Sequence, residues 1–310
     1  MLSRAPEIIL PSYLGANYLE LVQGENGCDW RQRSAEDDIS RIVAAKLIEK
    51  KQMLDEVPHD EIGLNLPRMA RFLGKHGLHM SPIAAVDEAG QQDINKIMGF
   101  DTSPDTQTFG SYFPLLDFTY VVRGAREAAE GTVAIEGSGI HELTHANQPH
   151  RDVAYYVCEG DARDIVYYPI RFGFVEQKGG HATGNLLEEG LAQLMSHKYR
   201  IEILGLDQSF QNGRRIETPA AYAMQLLIAE DPQIFPAILA DRSDKTGLHE
   251  FPQRVNALAP GLLDILNSAA YGDKSAWEAV NTITNRLYKG DPEKALEAAA
   301  LRDYQYLKAA

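Results

Sequence analysis

Cysteine is scarce: Cys28 and Cys158 are the only two in 310 residues, too few for disulfides to stand in for a hydrophobic core. Long apolar runs are missing as well. No stretch approaches the roughly 20 consecutive apolar residues that cross a bilayer. No basic segment leads into an apolar one near the start, where Glu7, Glu20 and Glu25 fall instead. The expectation is a cytoplasmic protein with no signal peptide and no membrane partner. Positive charge is in deficit, with 30 Lys and Arg against 44 Asp and Glu, a formal net charge of -14. A surface of that sign repels phosphate backbones, so no nucleic acid partner is expected. Low-complexity tracts are absent. What remains is an ordinary globular composition, 44% hydrophobic and 24% charged, long enough to close a full core.

Three zones follow along the chain. Residues 1–110 read as a mostly helical region. It has apolar residues at helical spacing from Ser34 to Val57, a short helix over Pro67–Leu73, and a turn-rich connector over Ser103–Gly110. Residues 111–205 alternate strand and helix signals. Phe113–Val122 reads as one strand, Asp152–Val157 and Asp164–Val175 as two more joined by a turn over Glu159–Arg163, and Asn185–Ile203 as a helix closed by Gly205. Pro169 cannot donate to a ladder and places its strand at an edge or a bulge. Residues 206–310 read as a helical lobe packed on the core, with helices over Pro219–Ala229, from Asp231, over Ser275–Leu287 and over Asp291–Lys308. Trp30 and Trp277 are expected in the core, and His59, His76 and His79 on the surface.

The chemistry is carried by His141-Glu142-Leu143-Thr144-His145. On a helix, positions i and i+4 share a face, so both imidazoles can address one ion. Glu142 falls beside that face, where it can take a proton from water. Ile140, Leu143 and Ala146 supply the apolar contacts that would bury such a helix. A zinc site needs a third protein ligand. His150, Cys158 and His181 are candidates, and Glu189 is the strongest. Gly190 and Ala192 are small enough to let its helix approach closely, and its carboxylate would offset the ion's charge. Glu188 lies about 100° around the helix, so only one of the pair can readily face the ion. Glu188 is left to solvent or to a supporting role.

HELTH followed by Glu188-Glu189-Gly190-Leu191-Ala192 resembles the two metal-binding helices of gluzincins, the class of thermolysin-like and aminopeptidase N-like metallopeptidases. The resemblance implies His141, His145 and Glu189 as ligands of one Zn2+, and Glu142 as general base. The stretch between His145 and Glu189 is longer than in aminopeptidase N-like enzymes, and the two strands would fill it as an inserted hairpin. Thermolysin-like enzymes carry a supporting Asp where this chain has Gln193, whose amide oxygen could still accept from an imidazole. A tyrosine often stabilises the oxyanion in such domains. Tyr222 is the leading candidate, with Tyr167, Tyr168 and His181 as rivals. The fold expectation is α+β, mainly helical: a zincin-like core with a short mixed β-sheet and a helical C-terminal lobe. The functional expectation is a zinc metallopeptidase acting on a peptide or protein substrate. The alternative is a non-catalytic zinc-binding or interaction module on the same fold.

Overall fold

The computed structural model describes residues 18–22, 48–61, 63–99, 109–113, 116, 118–124, 133–147, 150–159, 162–172, 174–178, 181–204, 218–243, 250–269 and 273–295. In the strands Tyr18–Val22, His150–Glu159, Ala162–Phe172 and His181–Thr183 the backbone alone is described. The connector at 103–108, Trp30 and most of the expected first and last helices lie outside these residues. Of the first helix, residues 48–56 are helical (α1).

The architecture is α+β and mainly helical, with a small mixed three-stranded sheet and a separate five-stranded one. The small sheet has the order β2 (Ile83–Val86), β4 (Phe118–Val122), β3 (Gly110–Phe113). β2 runs parallel to β4, and β3 runs antiparallel to it. The β2–β4 pairing joins the two zones on either side of Gly110. Phe113–Val122, expected as one strand, is therefore two hairpin-paired strands, with Leu116 buried between them. The expected strand begins at Phe113, the last residue of β3, because Gly110 and Ser111 carry no strand signal and the aromatic run from Tyr112 continues towards β4.

Helix α2 (Leu66–Lys75) starts where the Asn65 side chain accepts from Arg68 N–H. Helix α3 (Glu88–Met98) is capped by Asp87 and stopped by Gly99 at φ 77. The HELTH segment lies on helix α4 (Val133–Ala146), against β3 and β4 on one side and against α5 (Asn185–Leu204) on the other. Helix α6 (Thr218–Glu230) packs on α5 in turn. Ile140, Leu143, Leu187, Leu191, Met195 and Met224 fill the space between these helices and are all fully buried. The early glycines of α4 have a packing reason. A Cβ at Gly139 would meet Met69 Cε at 2.7 Å, and one at Gly137 would meet Arg200 Nε at 2.4 Å. The helix gives up roughly 0.5–1 kcal/mol per glycine in propensity and gains close approach to α2 and α5.

A buried ion cluster ties the same three helices together. Glu136 of α4, 4% exposed, accepts from the Arg68 guanidinium of α2 and from the Tyr199 hydroxyl of α5. Removing one member would leave a buried charge without its partner, the costly way to break such a cluster.

The five-stranded sheet has the order β1 (Tyr18–Val22), β5 (His150–Glu159), β6 (Ala162–Phe172), β7 (Val175–Lys178), β8 (His181–Thr183). β5 to β8 fill the chain between α4 and α5, and β1 pairs parallel to β5 from much earlier in the chain. β5 and β6 form the expected hairpin, but Val175 belongs to β7. The ladder slips between Arg151 and Asp152, where Asp152 faces Pro169. The proline sits at the irregularity its missing N–H requires.

The remaining helices are α7 (Ile234–Ser243), α8 (Glu250–Leu258), α9 (Leu262–Ser268) and α10 (Asp273–Tyr288). The buried Asp241 carboxylate accepts from the N–H groups of Glu250 and Phe251 and so starts α8. Among the described residues, no helix is long and apolar enough to cross a membrane. Trp277, expected in the core, is 41% exposed on α10.

His76, expected at the surface, lies half-buried with its ring edge-on to Phe72 at 4.9 Å and to Phe235 at 5.8 Å. Burial and then the nearby Lys198 and Lys75 push its imidazole down from 6.5 to about 4, against the opposing charge of Glu202. The native state therefore refuses a proton that the unfolded chain accepts. Stability from this residue is complete above pH 6.5 and is lost as pH falls towards about 4. His76→Leu should flatten that part of the acid limb in a plot of Tm against pH. An unchanged slope would remove His76 from the cause.

Candidate metal centre

The 3.6-residue period of α4 stacks His141 and His145 on one face, one turn apart. Their rings meet edge to face at 4.9 Å, with the two Nε2 atoms 3.2 Å apart. The end of α4 is secured by Asn147, whose side-chain amide donates to Leu143 O at 2.7 Å. The same side chain holds the His79 backbone in both directions, accepting from its N–H at 2.8 Å and donating to its carbonyl at 2.9 Å.

Helix α5 brings the third donor. Glu189 Oε2 lies 3.2 Å from His141 Nε2 and 3.7 Å from His145 Nε2. The three donor atoms all fall within 4.8 Å of one another. Four donors placed tetrahedrally about 2.0–2.1 Å from a zinc ion stand roughly 3.3 Å apart, so the donor set and its spacing fit that ion. His145 is buried at 5% exposure, whereas the Glu189 side chain keeps 27%. The centre therefore meets solvent on the Glu189 side.

Glu188 points the other way around α5 and is 1% exposed. His145 Nδ1–H donates to its Oε1 at 3.1 Å, and the Phe174 backbone N–H donates to its Oε2 at 3.2 Å. This bond fixes the tautomer of His145, leaving the Nε2 lone pair aimed at the centre. The Phe174 peptide is itself held close: a Cβ at Gly184, which has φ +81, would stand 2.1 Å from Phe174 O. The turn between β6 and β7 is thus seated on the start of α5.

Charge sets the protonation pattern. Burial alone would depress the His145 imidazole, but the Glu189 charge and the bonds to Glu188 and Glu189 outweigh it and push it up to about 10. His141 is also raised: burial opposes, and the bond to Glu189 with the charge of Glu142 prevails. Glu189 is held well below the carboxylate range, because the two imidazoles overcome its burial. In each case a positive charge is favoured among the three donors.

Glu142 is partly buried beside the same face, against the start of β3. Tyr222 is half-buried on α6, and burial raises its hydroxyl. Gln193, considered as a support for an imidazole of the centre, instead bonds His197 Nε2 at 2.6 Å. The side chains of His150, Cys158, Tyr167, Tyr168 and His181 lie outside the described residues. Sequence reasoning missed Gly110, Asn147 and Phe174, and it left Glu188 open. Only Glu188 had a local signal, since a residue 100° from Glu189 on a helix walled in by apolar neighbours must also be covered. Comparisons with protein-family models, with curated proteins and with solved structures return no match.

Glu188→Gln keeps the shape of the side chain and removes its charge. It should weaken zinc affinity by about 10–100-fold, read by competition with a chromophoric chelator. The Tm of the metal-free variant separates this from a loss of fold. Wild-type affinity in the variant would show that the Glu188–His145 bond is idle.

Proposed function

We propose that this chain is a zinc-dependent metallohydrolase, specifically a peptidase of the gluzincin type on a zincin-like core. The observation that carries the reading is the convergence of His141 Nε2, His145 Nε2 and Glu189 Oε2, with the Glu142 charge close enough to act on His141. The order of strand, HELTH helix, inserted hairpin and EEGLA helix supports the same family.

His141, His145 and Glu189 would hold one Zn2+ ion. When bound, the ion lowers the pKa of water and polarises a carbonyl. Glu142 takes the proton from the attacking water as its oxygen bonds to the amide carbon, then passes that proton to the departing nitrogen as the C–N bond breaks. Glu188 keeps the His145 ring from turning during this exchange. Tyr222 is the proposed donor to the oxyanion. Its raised pKa keeps the hydroxyl protonated across neutral pH, which suits a donor.

A peptide substrate is favoured by the position of β3. Val122 N–H donates to Phe109 O, so in this antiparallel register Gly110 turns its own N–H and C=O away from β4. An extended peptide could pair with that outer side, next to Glu142.

The test is a peptide-library digest by zinc-loaded wild type and two variants, with zinc content measured alongside. Glu142→Gln should retain the metal and lose roughly 10²–10⁴ in turnover. His145→Ala should lose metal and turnover together. Near wild-type turnover in Glu142→Gln would end the general-base role. Zinc-loaded wild type that cleaves nothing would favour a non-catalytic module.

A further inference from the structure

The general base of the proposed reaction lies against a bare stretch of backbone. Gly110 opens β3 and is buried. A Cβ built on it would stand 2.9 Å from Glu142 Cγ, 3.2 Å from Glu142 Oε1 and 2.7 Å from Tyr120 O. These neighbours differ in their freedom to move. Tyr120 sits on the central strand of its sheet, paired with Ser111 on one side and with Ala84 on the other, so its carbonyl is fixed by two ladders. Glu142 is a partly exposed side chain on the adjacent helix. A methyl group at position 110 would press on both: the fixed Tyr120 carbonyl would turn the strain back onto β3, and Glu142, the freer neighbour, would be displaced. The buried Tyr120 hydroxyl is raised by its burial and by the Glu142 charge, which agrees with a carboxylate lying along this strand.

We propose that Gly110 is a positioning residue: its bare α-carbon forms the wall that seats the Glu142 carboxylate beside the metal centre. The role assigned to Glu142 rests on the hydrolase reading above; the seating of the side chain does not. The same residue that turns its main chain towards a substrate on β3 then also sets where the base stands. Ser or Ala here would narrow that seat, and larger residues would close it.

The experiment compares Gly110→Ala, Glu142→Gln and the double variant with wild type, all zinc-loaded. In the crystal structure of Gly110→Ala, the Glu142 carboxylate should be displaced by about 1 Å or more, a misplacement that costs roughly 10²-fold in turnover. Zinc content should remain that of wild type. Acetohydroxamate, which chelates the ion and shares its proton with the base, should bind more weakly to Gly110→Ala. Gly110→Ala should cost far less turnover in the Glu142→Gln background than in wild type, because most of its effect passes through that side chain. An unmoved carboxylate with wild-type hydroxamate binding would overturn the proposal, as would a Gly110→Ala penalty that persists in full in the Glu142→Gln background. If Gly110→Ala fails to fold, recovery in Gly110→Ala/Glu142→Ala supports the clash with Glu142. Failure of both variants to fold makes Gly110 a packing residue and overturns the proposal. Should wild type bind zinc yet cleave nothing, the hydrolase reading falls, and the crystal and hydroxamate arms still decide Gly110.

Discussion

Two imidazole nitrogens and a carboxylate oxygen, presenting lone pairs to one another across 3.2 to 3.7 Å, repel unless a positive charge stands among them. Holding them there requires α4 and α5 to meet at a fixed distance and rotation. The packing around the centre serves that requirement. Gly137 and Gly139 remove bulk from α4 where Arg200 and Met69 press against it. Leu143, Leu187 and Leu191 close the interface without gaps. The Arg68–Glu136–Tyr199 cluster locks the far side of the same helix pair, where a slip of one helix along the other would strand a buried carboxylate.

Glu188 and Glu189 divide the work between adjacent positions. One faces the centre and stays open to solvent; the other is sealed in and grips the back of His145. Neither can take over the other's task, because the helix turns them about 100° apart. The grip reaches further, since the second oxygen of Glu188 accepts from Phe174. The root of the inserted hairpin is thereby connected to the ring orientation of His145.

Local signals made the two helices of the candidate centre legible. HELTH and EEGLA combine helical spacing with donor side chains, and the structure brings His141, His145 and Glu189 together as that spacing predicts. What local signals could not show were the partners arriving from elsewhere. His76 is covered by Phe235, more than 150 positions further on, so nothing near His76 predicts its burial. Helix α8 is started by Asp241, across a gap in sequence that no capping pattern spans. The β3–β4 hairpin reads as one strand because β3 opens on Gly110 and Ser111, which carry no strand signal, and only its aromatic end is visible. Gly110 carries no signal of its own: its need for glycine comes from the Tyr120 carbonyl on β4 and the Glu142 side chain on α4.

The hairpin between the ligand helices also bears on how the centre assembles. Bringing His145 and Glu189 together closes a long loop, and the entropy of closure grows with its length. β5 and β6 pair along their whole extent around a short turn, a contact that is local in sequence and fast to form. Once zipped, the hairpin returns the chain to nearly where it left α4, and β7 and β8 fold back beside it. The distance left to search is then set by the ends of a ribbon rather than by the contour of the intervening chain. An insertion that lengthens the path between two ligands can in this way shorten the route to bringing them together.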